Sequence, residues 1–147
     1  MINWVLKKFD DLTPQELYAI LQLRNEVFVV EQNCVFQDAD DKDQQCWHYM
    51  GWKDGYLAAY IRIVPPGISY EYASIGRVVN SPKARGTGIG KKLMQTGITK
   101  TYELFGKVAI KIGAQLYLKK FYESLGFIQS GEVYLEDGIE HVHMMLY

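Results

Sequence analysis

A glycine-rich stretch, Arg85-Gly86-Thr87-Gly88-Ile89-Gly90-Lys91-Lys92, constrains this chain more than any other feature. It follows an apolar run from Ile75 to Val79 and precedes an amphipathic run that begins at Ile89. Glycines at alternate positions leave backbone N–H groups uncovered, and the start of a helix carries a partial positive charge. The stretch therefore predicts a backbone cradle for phosphate between a strand and a helix.

The spacing of these glycines excludes two common phosphate loops. A Walker loop, GxxxxGK[ST], requires a glycine where Arg85 stands, and a GxGxxG dinucleotide loop requires one where Lys91 stands. What remains is the pattern Arg-x-x-Gly-x-Gly, formed by Arg85, Gly88 and Gly90. A glycine-rich turn that only caps a structural helix is the alternative interpretation of so short a pattern.

Length and composition favour one domain over residues 1–147, since 147 residues with 48% hydrophobic side chains can bury a large core. A net charge of −1 without a basic, aromatic tract argues against nucleic-acid binding. No apolar run approaches the length of a membrane span, and the N-terminus lacks a signal-peptide pattern, so we expect a cytoplasmic protein without membrane contact. Cys34 and Cys46 are then expected to be free thiols.

Local signals predict the element order β-α-β-β-β-α-β-α-β-β. Thr13-Pro14-Gln15-Glu16 has the form of a helix start, and Asp54-Gly55 and Asp137-Gly138 are typical of hairpin turns. The predicted helices begin at Pro14, Ile89 and Gln115, with Gly106 and Gly126 ending the second and third. The predicted strands are Ile2–Phe9, Cys46–Trp52, Tyr56–Val64, Ala73–Val79, Val108–Ala114, Phe127–Leu135 and Ile139–Leu146. This order indicates a mixed sheet covered by helices.

The apolar stripe of the first predicted helix contains one arginine, Arg24, which must lie at the helix edge or be paired. An acidic loop follows, with Asp38, Asp40, Asp41 and Asp43. It lacks the glycine and glutamate of a calcium-binding EF-hand loop. We interpret it as a solvated loop, with a negative rim that attracts a cationic substrate as the alternative.

Four parts of the chain resemble the GNAT family of N-acetyltransferases. One of them, Arg77 to Pro82, stands where the family's central strand pairs its backbone with pantetheine. The pattern at residues 85–90 is similar to the family's acetyl-CoA pyrophosphate loop, and Gln115 to Phe127 is similar to its second signature, which ends in Tyr-x-x-x-Gly-Phe from Tyr122. Leu23 to Cys34, with Glu136 to Ile139, is similar to the ElaA-type subgroup. The resemblance runs nearly end to end. It implies an α/β (α+β) fold with a mixed, mostly antiparallel twisted sheet of about seven strands, flanked by helices and containing a splayed central strand pair.

By the same resemblance, acetyl-CoA is the co-substrate. Backbone amides of the glycine loop would hold its pyrophosphate, the end of the central strand would pair with pantetheine, and an amide side chain would bond pantetheine from the other side. The residues implied in cofactor binding are Val78, Val79, Asn80, Arg85, Gly86, Thr87, Gly88, Ile89, Gly90, Lys91, Gln115 and Tyr122. The family more often has Asn at the position of Gln115, and a polar residue in the first turn of a helix is the alternative.

Tyr122 would be the general acid. An unperturbed phenol has a pKa of about 10, above the value of about 8.5 for a thiol, so it can protonate or hold the leaving thiolate. A core aromatic on the inner stripe of its helix is the alternative role for Tyr122.

The general base is harder to assign. Many relatives place a carboxylate where this chain has Ile110, so the base must lie elsewhere or the amine must arrive neutral. The candidates are Glu31, His48 and the pair His141 and His143, with Glu31 and His48 first because they border the region where the family binds acceptors. A structural imidazole is the alternative for each histidine. The His-x-His pair lacks a third ligand, so we expect no metal.

These features predict an acetyl-CoA-dependent N-acetyltransferase that transfers the acetyl group directly to a primary amine in a ternary complex. The acceptor would be a small molecule or a peptide. A non-catalytic acyl-CoA sensor or interaction module is the alternative, motivated by the missing carboxylate at Ile110, and a purely structural domain would leave the glycine loop unexplained. The sequence leaves the oligomeric state open, with a homodimer among the options.

Overall fold

The computed structural model describes all residues from Met1 to Tyr147 as one eight-stranded sheet with three α-helices. The strands are β1 (Asn3–Lys8), β2 (Trp47–Lys53), β3 (Tyr56–Val64), β4 (Ala73–Asn80), β5 (Ile110–Gln115), β6 (Ile128–Gln129), β7 (Tyr134–Glu136) and β8 (Ile139–Leu146). The helices are α1 (Pro14–Arg24), α2 (Ile89–Phe105) and α3 (Lys119–Glu123), and a π-helix (Asn25–Glu31) continues α1. None of the helices is long and apolar enough to span a membrane.

The sheet has the strand order β1-β2-β3-β4-β5-β8-β6, and β7 also pairs with β8. Every pairing is antiparallel except that of β4 with β5. The predicted mixed, mostly antiparallel sheet is therefore confirmed. It has eight strands rather than about seven because the predicted strand Phe127–Leu135 is interrupted around Gly131, whose φ is +97°.

Local sequence signals placed three helix ends correctly. The Thr13 side chain accepts a hydrogen bond from the Glu16 N–H, and the Glu16 carboxylate accepts one from the Thr13 N–H, which forms the predicted capping box. Helix α2 begins at Ile89 and ends before Gly106, as predicted. The two Asp-Gly turns also connect the expected hairpins.

The third predicted helix was wrong at its start. Gln115 is the last residue of β5, in register with His141 of β8, and residues 116–118 form a single 3₁₀ turn. Pairing with β8 therefore extends the strand by one residue, and α3 begins only at Lys119.

Two apolar layers cover the sheet. The larger layer joins α2 and α3 to β3, β5 and β8, and it is centred on the buried residues Ile61, Ile63, Leu93, Met94, Ile112 and Met144. The smaller layer joins α1 to the opposite face, through Ile20, Leu23, Val27, Tyr60 and Val79. Cys34 and Cys46 are buried and unpaired.

The interpretation of the acidic loop as solvated was wrong. Three of its four aspartates join three arginines in what we call the charge network: Arg24, Arg62, Arg77, Asp38, Asp40 and Asp43. Asp41 alone is exposed and outside it. The sequence did not show this because the paired residues lie 14 to 39 positions apart.

Arg24 is fully buried at the centre of this network. Its Nε donates to Asp38 at 2.7 Å and its Nη1 to Asp43 at 2.8 Å, while Arg62 Nη1 donates to the same Asp43 oxygen at 2.9 Å. The network thus fastens the acidic loop to α1 and β3, and Arg77 extends it to β4.

Candidate active site

The residues of the predicted phosphate cradle lie where β4 leads into α2. Gly86 and Gly88 both have φ of +79°, a conformation that L-residues with a Cβ seldom adopt. A Cβ at either position would meet nothing within 4 Å, so the space above them is open. Gly88 is the N-cap of α2 and supplies no side-chain cap.

The backbone N–H groups from Arg85 to Lys91 have no hydrogen-bond partner within the protein. They lie at the positive end of a 17-residue helix, where unsatisfied amides attract anions. The side chains of Lys91 and Lys92 are exposed beside them. The arrangement is suited to binding a phosphate or diphosphate.

Gly90 connects this amide row to the end of β4. A Cβ at Gly90 would lie 2.8 Å from Nδ2 of Asn80, so a larger residue at this position would displace the Asn80 side chain. The Oδ1 of Asn80 is buried without a partner. Gly90 therefore brings the first turn of α2 against the side chain of the last residue of β4.

The two central strands separate from each other, as the fold prediction required. They are paired only at Ala73 with Ile110 and at Ser74 with Lys111. Beyond these pairs, β4 continues to Asn80 and β5 to Gln115 without contact in the ladder. We call this gap the seam. Val78 is half-buried and Val79 is buried on its β4 side.

A β-bulge helps to open the seam. The pairing of β3 with β4 shifts between Tyr60 and Arg62, so that Ile61 stands opposite two residues. Arg77, one of the two, has φ of +51° and is held by Asp38 and Asp40 of the charge network. Bulges bend and twist a strand, which here turns β4 away from β5. Nothing in the local sequence marks this bulge.

Tyr122 lies in α3 with its ring against Phe121 and Phe127, at centroid distances of 5.2 and 5.9 Å. The residue is buried, yet its hydroxyl makes no hydrogen bond within the protein and is not among the buried polar atoms without a partner. Burial raises the pKa of Tyr122 above that of an ordinary phenol. The group is a neutral proton donor at pH 7 with contact to solvent.

Gln115 and Glu31 both have partners within the protein. The side-chain amides of Gln115 and Gln32 bond each other reciprocally at 3.1 and 3.2 Å. Glu31 accepts two hydrogen bonds from the guanidinium of Arg85, which lowers the pKa of Glu31. Glu31 at the end of the π-helix and Gln32 after it therefore contact two residues predicted to bind the cofactor, Arg85 and Gln115. The ion pair of Glu31 with Arg85 lies at the surface, with both side chains exposed.

His48 does not face the predicted acceptor region. It is fully buried, with Nδ1 at 2.6 Å from the Tyr60 hydroxyl and Nε2 at 2.9 Å from the carbonyl oxygen of Asp43. Burial lowers the pKa of His48. With both ring nitrogens engaged in the core, it has no atom free for a substrate. The expectation that it borders the acceptor is therefore corrected by its inward orientation from β2.

The two histidines of β8 differ from each other. His141 is buried, and its Nδ1 lies 2.7 Å from the carbonyl oxygen of Ile139. His143 is half-buried and makes no hydrogen bond within the protein. Both rings stack on Tyr134, which the sequence did not single out. No group of three potential metal ligands occurs among the histidines, cysteines and acidic residues.

Comparison with known proteins gives consistent results. The family model for the acetyltransferase (GNAT) domain matches residues 9–147. ElaA of Escherichia coli strain K12 is 42% identical, over 98% of this chain and 95% of the relative. The crystal structure of Escherichia coli ElaA has a TM-score of 0.94, with 41% identity and complete coverage of both chains.

Two further solved structures share the fold. That of an acyl-CoA N-acyltransferase from Pseudomonas aeruginosa has a TM-score of 0.96 and 42% identity, covering 100% of each chain. That of a GNAT family acetyltransferase from Elizabethkingia anophelis with acetyl-CoA bound has a TM-score of 0.66 and 17% identity, covering 99% of this chain and 97% of that one. The chain therefore belongs to the GNAT acetyltransferase family and within it is similar to ElaA.

Proposed function

We propose that the protein is an acetyl-CoA-dependent N-acetyltransferase that transfers the acetyl group directly to a primary amine in a ternary complex. The observation that carries this proposal is the row of unpartnered backbone amides from Arg85 to Lys91 at the end of an open seam between β4 and β5. Family membership supports acyl transfer in general, and the acetyl group and the amine are our inference.

The chain fits acetyl-CoA in two places. The amide row and the open space above Gly86 and Gly88 suit its pyrophosphate, and the edges of β4 and β5 that are left unpaired beyond Ser74 and Lys111 suit its pantetheine arm. When bound, acetyl-CoA supplies an activated acyl group as a thioester. The reciprocal pair of Gln32 and Gln115 must open or share its hydrogen bonds if Gln115 is to bond pantetheine.

The reaction requires an acid, a donor for the oxyanion, and a base. A neutral amine attacks the thioester carbonyl carbon, the C–N bond forms, and the C–S bond breaks. The backbone N–H of Val78 or Val79, on the β4 side of the seam, would stabilise the oxyanion of the tetrahedral intermediate. Tyr122, held neutral by burial, would protonate the leaving thiolate.

A second function, acyl-CoA binding without turnover, is favoured by one observation. Where many relatives have a carboxylate this chain has the buried, apolar Ile110, and the two leading candidates for the base have other partners: His48 is engaged in the core and Glu31 is paired with Arg85. A sensor would keep the amide cradle and the seam but would need no base.

Binding of CoA is tested by isothermal titration calorimetry with the variant Gly88→Glu. The new side chain fills the open space over the amides and adds a negative charge, so we expect a loss of affinity of at least about 100-fold, equivalent to roughly 2.7 kcal/mol. Gly131→Glu is the matched control, because Gly131 also has a positive φ and open space around it but lies between β6 and β7. Equal CoA affinity in Gly88→Glu and wild type would rule out the assigned cradle.

Turnover is tested by incubating wild-type protein with acetyl-CoA and a panel of primary amines, and measuring free thiol. Amine-dependent release of thiol that is faster than hydrolysis of acetyl-CoA supports the proposed acetyltransferase. Tight CoA binding with no amine-dependent release supports the sensor instead.

A further inference from the structure

Three aromatic side chains converge above Gly113, and the function proposed above uses none of them. A Cβ at Gly113 would lie 2.9 Å from the hydroxyl of Tyr134, 3.4 Å from that of Tyr70 and 4.0 Å from the imidazole of His143. We call Tyr70, Tyr134 and His143 the aromatic cluster. It combines residues from the β3–β4 connection, from β7 and from β8.

The aromatic cluster borders the seam. Gly113 lies in β5, two residues beyond Lys111, which makes the last pair with β4. Continuing that register places Gly76 of β4 opposite Gly113, so both strands carry glycine at the second position beyond their last pair. Gly113 is exposed although β5 lies in the middle of the sheet. The surface above it is therefore open to solvent beside the gap that suits the thioester arm.

The polar atoms of the aromatic cluster have no partners within the protein. Neither phenol hydroxyl and neither ring nitrogen of His143 makes a hydrogen bond, and none is among the buried polar atoms without a partner. The rings of Tyr134 and His143 stack at 4.5 Å, and Tyr70 meets His143 edge-on at 5.7 Å. Packing thus fixes the rings while their polar atoms remain free for a ligand.

The chemistry of the aromatic cluster suits a primary ammonium group. Lys111 already places its Nζ at 4.8 Å from the ring centroid of Tyr70, which shows that the cluster can accommodate such a cation. Burial raises the pKa of Tyr134 to about 12 and also raises that of Tyr70, so both phenols are neutral at pH 7 and can accept hydrogen bonds.

We propose that the aromatic cluster is the acceptor-amine subsite and that His143 is the general base of the acetyl transfer. The inference rests on the function proposed above. His143 takes one proton from the ammonium of the acceptor and passes it to solvent. The neutral nitrogen then forms the C–N bond as the C–S bond breaks, and the thiolate leaves with the proton of Tyr122. The second proton that the nitrogen loses reaches the Tyr122 phenolate through solvent and restores the phenol.

The charges around His143 are compatible with this role. Lys111 on β5 and His141 on β8 disfavour its protonated form, whereas Glu136 on β7 favours it, and the phenols of Tyr70 and Tyr134 are neutral. Burial, followed by the charge of Lys111, lowers the pKa of His143 below the ordinary value for histidine. The imidazole is therefore neutral at pH 7 and can accept a proton.

The test compares wild type with His143→Gln and Tyr134→Phe, using an amine identified in the panel and acetyl-CoA between pH 5 and pH 9. We expect His143→Gln to lower kcat by about 100-fold and to remove the acid limb of the kcat/KM profile. We expect Tyr134→Phe to raise KM for the amine with a smaller effect on kcat. Tyr18→Phe, on the exposed face of α1, is the control for loss of a hydroxyl.

Several outcomes would overturn this inference. One is a kcat of His143→Gln within about threefold of wild type with the acid limb retained; another is a pKa of His143 above 7 by NMR titration of its ring protons. Calorimetric CoA affinity must stay within about threefold in each variant, which separates loss of the base from loss of the cradle or the fold. If wild type binds CoA but acetylates no amine, the proposed enzyme and this inference fail together.

Discussion

Substitution of Asp43 by asparagine should destabilise the protein strongly. One oxygen of Asp43 accepts hydrogen bonds from both Arg24 and Arg62, at 2.8 and 2.9 Å, and all three side chains are buried. Asparagine keeps an acceptor oxygen at the same place, so Asp43→Asn removes the negative charge and little else. The buried guanidinium groups of Arg24 and Arg62 then lose the negative charge that they both contact.

The size of the effect follows from these contacts. Each attraction between unit charges about 4 Å apart is about 4 kcal/mol at the effective dielectric constant of 20 that suits protein sites. The carboxylate also loses hydration on burial, which offsets much of this gain. Removing one partner of a buried ion pair costs about 3–5 kcal/mol. For a chain of this length we expect the melting temperature to fall by roughly 10–15 °C.

The assay is thermal unfolding by circular dichroism at pH 7, with Asp41→Asn as the matched control. Asp41 lies in the same loop but is exposed, and its φ of +63° is one that asparagine tolerates. We expect Asp41→Asn to melt within about 2 °C of wild type. A melting temperature of Asp43→Asn equally close to wild type would refute the argument, because Arg24 and Arg62 would then not depend on this charge.

The pH dependence gives a second measurement of the same network. Burial alone would raise the pKa of Asp43 and of Asp40, but hydrogen bonds and charges from the arginines outweigh it and lower both. Carboxylates with lowered pKa stabilise the fold above their unfolded pKa, near 4, and lose this contribution as the pH falls through the folded value. The wild-type melting temperature should therefore decrease below pH 4, and less steeply in Asp43→Asn.

Three further changes test the site and the core. Tyr122→Phe should lower turnover at least about 100-fold while CoA affinity stays within threefold, and an unchanged rate would remove Tyr122 from the mechanism. Glu31→Gln should release Arg85 for phosphate and tighten CoA binding severalfold at low salt, as measured by calorimetry; weaker binding would show that the pair orders the loop. Gly97→Val should destabilise the protein by about 1–3 kcal/mol in urea unfolding, because a Cβ at Gly97 would lie 2.3 Å from Cδ1 of Ile61. Unfolding at the wild-type urea concentration would show that the core can expand there.

The sequence predicted those features whose cause lies within a few residues. The capping box of Thr13 and Glu16, the hairpin turn at Asp54-Gly55, and the start of α2 after Gly88 each depend on local hydrogen bonds or on a φ that only certain residues adopt. The glycine loop therefore indicated its own position and its uncovered backbone amides, and the resemblance to a family added the mixed, mostly antiparallel sheet and the seam.

Features formed by distant residues could not be predicted in this way. Arg85 pairs with Glu31, 54 positions away, and Gln115 pairs with Gln32, 83 positions away. Two residues assigned to the cofactor therefore contact the end of the π-helix and the residue after it. His48 had the right residue type for a base, but the fold directed it inward. Sequence patterns record which groups a chain possesses, whereas partners, burial and free polar atoms depend on how segments far apart in the chain are packed together, which only the tertiary structure decides.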